Sequence, residues 1–293
     1  MVGAYDCSNA RTEYSGWVMM RVVSLVPSIT EALCMLGLQD SIVGVTDYCT
    51  APVEAVRGKE RVGGTKNPQL ARVLELRPDL VIVNTDENRK ATAQELEELG
   101  LKILVTQTDC LDEVEATWTQ LGEATGKQAL AGHERERIRL ARERNRERIK
   151  DAPRVSALIM VWKSPWIASG AGTYVESLLE SSGIDNVMAG VKTKWIRVGL
   201  TTEPAPSAGD AKKITHALPQ VPEVVLLPNE PFAFNETHRD DFVHLLPRER
   251  VHVVDGELLT WWLSRTVEGL DYFYEFYERI SKAKVGILRR SSV

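Results

Sequence analysis

A chain of 293 residues with 36 Lys and Arg against 41 Asp and Glu carries a formal net charge of −5, which weighs against nucleic acid or an anionic membrane surface as its main partner. Its 43% hydrophobic and 26% charged content is that of a globular protein able to bury a sizeable core. No apolar run approaches the roughly 18 residues of a membrane span, and Cys7, Cys34, Cys49 and Cys110 show neither a CxxC pair nor zinc-like spacing to histidine.

Residues 1–19 lack a basic region followed by an apolar stretch, and they read as a disordered tail or a misplaced start. As written, the sequence leads to a cytoplasmic expectation, and to a periplasmic one if the true start lies upstream. After Met20 short apolar strands alternate with amphipathic helices, the pattern of a parallel sheet covered by helices. "RVVSLVP" predicts a strand; Ser28 and Thr30 are candidate caps for the helix that follows, which Gly37 ends. "SIVGVT" is the next strand. "VGGTKNPQLARVLELRPDLVIVNT" gives a turn, a helix over about 68–76 and a strand of β-branched residues. "KATAQELEELGLKILVTQ" repeats the unit, and "CLDEVEATWTQLGEATG" adds a helix with Val114, Trp118 and Leu121 on one face.

Residues 128–151 change character, crowded with Arg and Glu at i, i+3 and i+4 and uninterrupted by proline, which predicts one solvated helix. A second series follows: strands in "RVSALIMVW", "EVVLLP" and "VHVVDG", a helix in "TYVESLLESSGI" and a C-terminal amphipathic helix in "TVEGLDYFYEFYERISK". The expected organisation is therefore an α/β lobe over 20–127, a linking helix over 128–151, a second α/β lobe over 152–285 and a tail over 286–293.

In parallel α/β sheets ligands bind outside the carboxyl ends of the strands. The predicted strand ends lead into "NTDENRK", "WKSPW", "PNEPFAF" and "DGELLTWWLSR", four loops that mix aromatic rings with a few charges and amides, as small-molecule sites do. The candidate ligand-binding residues are Asn84, Glu87, Asn88 and Arg89 in the first half. In the second they are Trp162, Lys163, Trp166, Glu230, Phe232, Phe234, Asp255, Glu257, Trp261 and Arg265. Packing against neighbouring helices is the alternative role for each single ring. "VGGTKNP" lacks the GxxxxGK[ST] spacing of a phosphate loop, and His238, His244 and His252 read as surface histidines rather than metal ligands. No motif of an enzyme reaction emerges, so a non-catalytic protein without cofactor or metal is expected.

"RVVSLVPSITEALCMLGLQDSIVGVT", "RVGGTKNPQLARVLELRPDLVIVN", the long helix and the second lobe together resemble the helical-backbone metal-receptor superfamily, over about residues 20–285. That superfamily includes the vitamin B12-binding and siderophore-binding components of ABC importers. "GGTKNP", "DENR", "WKSPW", "EPFAF" and "DGE" bring the chain closest to a corrinoid-binding-like branch. The resemblance implies two parallel-sheet lobes joined by a single long helix, as in class III periplasmic binding proteins, with cobalamin or another metal chelate in a cleft between lobes, a permease partner and a monomeric protein. Its alternatives are an iron-siderophore receptor, and a cytoplasmic corrinoid-handling factor or enzyme using Glu230, Asp255 and Glu257 as acid/base groups. The chain departs from importer relatives at two sites. Ala71 stands where the first lobe carries an acid that docks on the permease, and Thr65 and Lys66 stand where some B12 binders carry tryptophan.

Overall fold

A computed structural model describes residues 19–200 and 215–290, with side chains described as far as Lys282. The chain divides into two compact units, the first ending at Thr106 and the second beginning at Gln107.

The first unit is built on β1 (Val22–Ser24), β2 (Ile42–Val45), β3 (Glu60–Arg61), β4 (Leu80–Asn84) and β5 (Ile103–Thr106), ordered β3-β2-β1-β4-β5. Every neighbouring pair is parallel. The connections carry α1 (Pro27–Met35), α2 (Val53–Val56), α3 (Leu70–Glu75) and α4 (Lys90–Glu98). All five residues of β4 are buried, as a strand covered on both faces requires, and Val23, Leu25, Val62, Val73, Val81, Val83 and Leu96 form one core cluster. Gly44 lies against this core: a Cβ on it would stand 2.5 Å from Leu76 Cδ1, so the Leu76 side chain would have to shift to admit one. Neither Ser28 nor Thr30 caps α1. The helix starts at Pro27, whose fixed φ suits a first helical position, and the Thr30 hydroxyl instead donates to Ser24 Oγ at 2.8 Å.

The second unit opens with α5 (Leu111–Thr125) and α6 (Gln128–Ile149). At about 1.5 Å per residue α6 rises roughly 33 Å. It packs closely on α5, since a Cβ on Gly122 would lie 2.8 Å from that of Ala131. Its charged faces are neutralised by ion pairs: Arg139 meets Glu136 at 2.6 Å, Arg142 meets Glu115 at 2.7 Å and Arg137 meets Glu268 at 3.2 Å. The division between units thus falls before α5 rather than at the composition change near residue 127, because α5 packs with α6. The remaining elements are β6 (Val155–Trp162), β7 (Ile167–Ser169), α7 (Tyr174–Glu180), β8 (Ile184–Asn186), β9 (Trp195–Arg197), β10 (Val224–Pro228), β11 (Val251–Val254), α8 (Gly256–Thr260) and α9 (Thr266–Arg290). The helix α9 continues through residues 286–290, which the sequence pattern assigned to a tail.

The second sheet runs β11-β10-β6-β7-β9, with β8 also paired to β6. Its β6, β8, β10 and β11 pairs are parallel, whereas β7 is antiparallel to both β6 and β9. The sheet is therefore mixed where a parallel one was expected. The connection Lys163–Trp166 is too short for the crossover a parallel partner needs, so it returns the chain as a hairpin. Leu158, Met160, Ala168, Ile196, Val225, Leu227, Phe234 and Phe242 lie in the core cluster of this unit.

Candidate ligand-binding face

In the second unit β6, β10 and β11 end side by side, and the loops leaving them are those the sequence singles out. The loop after β6 carries Lys163 and Trp166, the loop after β10 carries Glu230, Phe232 and Phe234, and β11 leads through Asp255 into α8. An aromatic group and a polar group result, and both are rooted in the segment 229–234.

In the aromatic group, Trp162 meets Phe232 edge-on at 5.4 Å, Phe232 lies 4.6 Å from Phe234, and Trp166 stacks parallel to Phe234 at 6.4 Å. Burial grades these rings. Phe234 is 2% exposed and belongs to the core, Trp166 and Phe232 are half-buried against it, and Trp162 is 42% exposed. Phe234 thus supports the rings in front of it rather than facing solvent. Lys163 places its ammonium 5.3 Å from the centre of the Trp166 ring and pairs with Asp241 at 2.7 Å, a cation–π contact combined with an ion pair.

In the polar group, the Trp261 indole N–H donates to Glu230 Oε2 at 2.9 Å, Arg265 lies 4.5 Å over the Trp261 ring, and the Arg265 guanidinium is paired with Glu257. Trp261 is only 7% exposed, so it is a buried bracket between an acid and a cation. Asp255 caps α8, its carboxylate accepting from the Leu258 N–H at 3.1 Å. Burial pushes the Glu230 carboxyl above the usual glutamate range, the Trp261 hydrogen bond opposes that, and the nearby Glu257 charge adds to it. Gly256 ties the two loops together, donating its N–H to Asn229 Oδ1 at 2.7 Å.

Of the candidates in the first unit, Asn84 and Asn88 are engaged in its framework. Asn84 and Asn88 are buried. The Asn88 amide donates to Leu25 O at 3.1 Å and Thr65 O at 2.9 Å, and its oxygen accepts from the Asn84 N–H at 2.8 Å. The Asn84 oxygen accepts from the Asp86 N–H at 2.9 Å. These amides pin strand-end loops together and are occupied in doing so. Glu87 is half-buried, and Arg89 is exposed at the N-cap of α4. Ala71 is exposed on α3. The resemblance implies a matching docking acid in the second lobe within "AGDAKKITHALPQ", residues 208–220, of which 208–214 lie outside the described residues. Among the described residues no group of three or more His, Cys, Asp or Glu is arranged to hold a metal.

The sequence pattern missed Trp195, 48% exposed at the start of β9. The register pairs Trp162 with Ile167, Ile167 with Arg197 and Ser169 with Trp195, and paired residues of antiparallel strands share a face. Trp162 and Trp195 therefore lie on one side of the hairpin sheet, with Ala168 and Ile196 turned into the core. A three-residue strand gives too short an alternation to register, so the isolated tryptophan was the only available signal. Asp241, the partner of Lys163, was missed for lack of any local pattern.

The periplasmic binding protein family matches residues 22–202, which is more than half of the chain. The chain belongs to that family. Among its relatives, a vitamin B12-binding protein of Vibrio vulnificus (strain CMCP6) is 25% identical over 180 residues, covering 61% of this chain and 66% of that relative, just under two thirds of its length. An ABC transporter substrate-binding lipoprotein of Bacillus subtilis (strain 168) is 27% identical over 266 residues, covering 87% and 79%. Among solved structures, the periplasmic vitamin B12-binding protein of Vibrio cholerae superposes with a TM-score of 0.71 at 21% identity, covering 89% of this chain and 97% of that one. A periplasmic heme-binding protein from Roseiflexus sp. RS-1 gives 0.71 at 18%, covering 88% and 98%. The fold of this periplasmic binding protein is thus one on which both corrinoid and heme binders are built.

Proposed function

We propose that this protein is the ligand-binding component of an ABC-type uptake system and that its ligand is cobalamin or a related corrinoid. The observation that carries the reading is the graded aromatic face of the second unit, where exposed Trp162 and half-buried Trp166 and Phe232 rest on the Phe234–Phe242 core. Such rings offer a large apolar contact to a flat macrocycle at little entropic cost, because the packing behind them already fixes their rotamers. Lys163, Glu230, Asp255, Glu257 and Arg265 border that face and would orient the polar rim of the ligand. The named B12-binding relatives add weight to the corrinoid. A role outside the cytoplasm accompanies this reading, as does a permease partner that engages the protein without an acid at Ala71. No catalytic step is assigned to any residue.

A heme or ferric-siderophore ligand is the second reading, favoured by the heme-binding structures that share the fold. Its anionic groups would need unpaired cations, yet Lys163 is neutralised by Asp241 and Arg265 by Glu257, which places this reading second. Calorimetric titration of the protein with cyanocobalamin, hemin and a ferric siderophore decides between the two. Stoichiometric binding of cyanocobalamin alone supports the first; selective binding of either iron compound replaces it with the second.

A further inference from the structure

Glu230 is a half-buried carboxylate only one of whose oxygens is engaged, Oε2 by the Trp261 indole at 2.9 Å. Among the described residues the other oxygen has no hydrogen-bond partner. The charged groups that face it are Glu257, Arg265 and Asp255, and the one guanidinium is already paired with Glu257. Among the described residues the locality therefore holds three carboxylates against one cation. Its backbone is fixed as well, because Gly256 approaches so closely that a Cβ there would stand 2.4 Å from Glu230 N. A charged acceptor partly removed from water and left open is costly unless a donor fills it.

We propose that Glu230 selects the ligand by charge, accepting a hydrogen bond from an N–H donor on a neutral or cationic ligand and repelling ligands that present carboxylates to it. This rests on the binding-protein reading above and narrows its ligand class to chelates whose rim carries amides or amines. The acceptor is strongest, and carries the charge that discriminates, only when ionised. Because burial raises the point at which Glu230 takes up a proton, binding of such a ligand falls off on acidification earlier than an ordinary glutamate would cause.

The test is calorimetric titration of the full chain and of Glu230→Gln from about pH 8 down to about pH 5, the range just above the ordinary glutamate value. The probes are cyanocobalamin, whose corrin rim bears neutral carboxamides, and hemin, which bears two carboxylates. The amide carbonyl of Gln still accepts from Trp261, so the variant removes charge without removing the bracket. Loss of a hydrogen bond to a charged group predicts that Glu230→Gln weakens cyanocobalamin binding by about tenfold and flattens its acid limb, while hemin binding improves. Glu230→Asp, which keeps the charge, retains the acid limb. Equal affinity and identical pH profiles in wild type and Glu230→Gln would overturn the inference while leaving the binding reading intact. Failure of the wild type to bind either probe would overturn that reading and the inference with it.

Discussion

Gly256→Ala introduces a methyl group where three atoms already stand. The added Cβ would lie 2.4 Å from Glu230 N, 2.8 Å from Glu230 Cβ and 2.9 Å from Asn229 Oδ1. Attractive carbon contacts occur at about 3.5–4.0 Å, so the 229–230 backbone has to retreat by about 1 Å. The nearest of these atoms is a backbone nitrogen, which no side-chain rotation moves aside. Overpacking of this kind costs roughly 1–3 kcal/mol. Separating the loops also stretches the hydrogen bond from Gly256 N–H to Asn229 Oδ1, now 2.7 Å, which adds about 1 kcal/mol. A total of about 2–4 kcal/mol lowers the melting temperature by roughly 5–12 °C in a domain of this size. Gly132→Ala is the control: it sits exposed within α6 with no neighbouring atom within 4 Å of its would-be Cβ, and alanine there stabilises by up to about 1 kcal/mol through helix propensity. Thermal unfolding followed by circular dichroism should therefore move the two variants in opposite directions. Wild-type melting of Gly256→Ala, or an equal fall in both variants, would refute the close approach of the two strand-end loops.

Phe234→Ala should destabilise by roughly 3–5 kcal/mol in denaturant unfolding, as a buried ring in a cluster does, whereas Trp162→Ala, already 42% exposed, should leave the unfolding midpoint nearly unchanged and weaken ligand binding. Burial drives the Cys34 thiol up to about 11 and raises Cys49 as well, so brief alkylation of the native protein near neutral pH, read by mass spectrometry, should leave both largely unmodified and label them rapidly after unfolding. His252 is held down to about 4, first by burial and then by the Arg239 and Arg279 charges. Its unfolded counterpart takes a proton near 6.5, so the stability it confers is full above about 6.5 and is lost as pH falls toward 4. His252→Gln should flatten that part of the stability-versus-pH curve.

The alternation of strands and helices was legible because the longer parallel strands of the first unit are apolar runs, as in "LVIVN" at β4, and glycines follow α1 and α4, at Gly37 and Gly100. The hairpin of the second unit was not. Strands β7 and β9 are three residues each, too short for a period of two to stand out; β7 is recognised by its pairing with β6, and β9 by its pairing with β7. The strand-end loops were found by composition, and composition does not separate a wall from its support. Phe232 and Phe234 are both aromatic and two residues apart, yet one is half-buried and the other lies in the core. Likewise "DENR" reads as a ligand loop, whereas the hydrogen bonds of Asn84 and Asn88 tie it to Leu25, Thr65 and Thr106, contacts over 22 to 63 residues that no local pattern reveals. The ion pairs that neutralise Lys163 and Arg137 span 78 and 131 residues and were equally out of reach.

The central claim is that a corrinoid rests on the aromatic face of the second unit, and its most direct test is the quenching of tryptophan fluorescence by cyanocobalamin in the wild type, Trp162→Phe and Trp166→Phe. Saturable quenching at one ligand per chain is expected, with a smaller quenched fraction in each variant. Saturable quenching with the same quenched fraction in all three proteins would place the ligand elsewhere on the molecule, and the absence of quenching under conditions where calorimetry registers no heat of binding would contradict the corrinoid assignment itself.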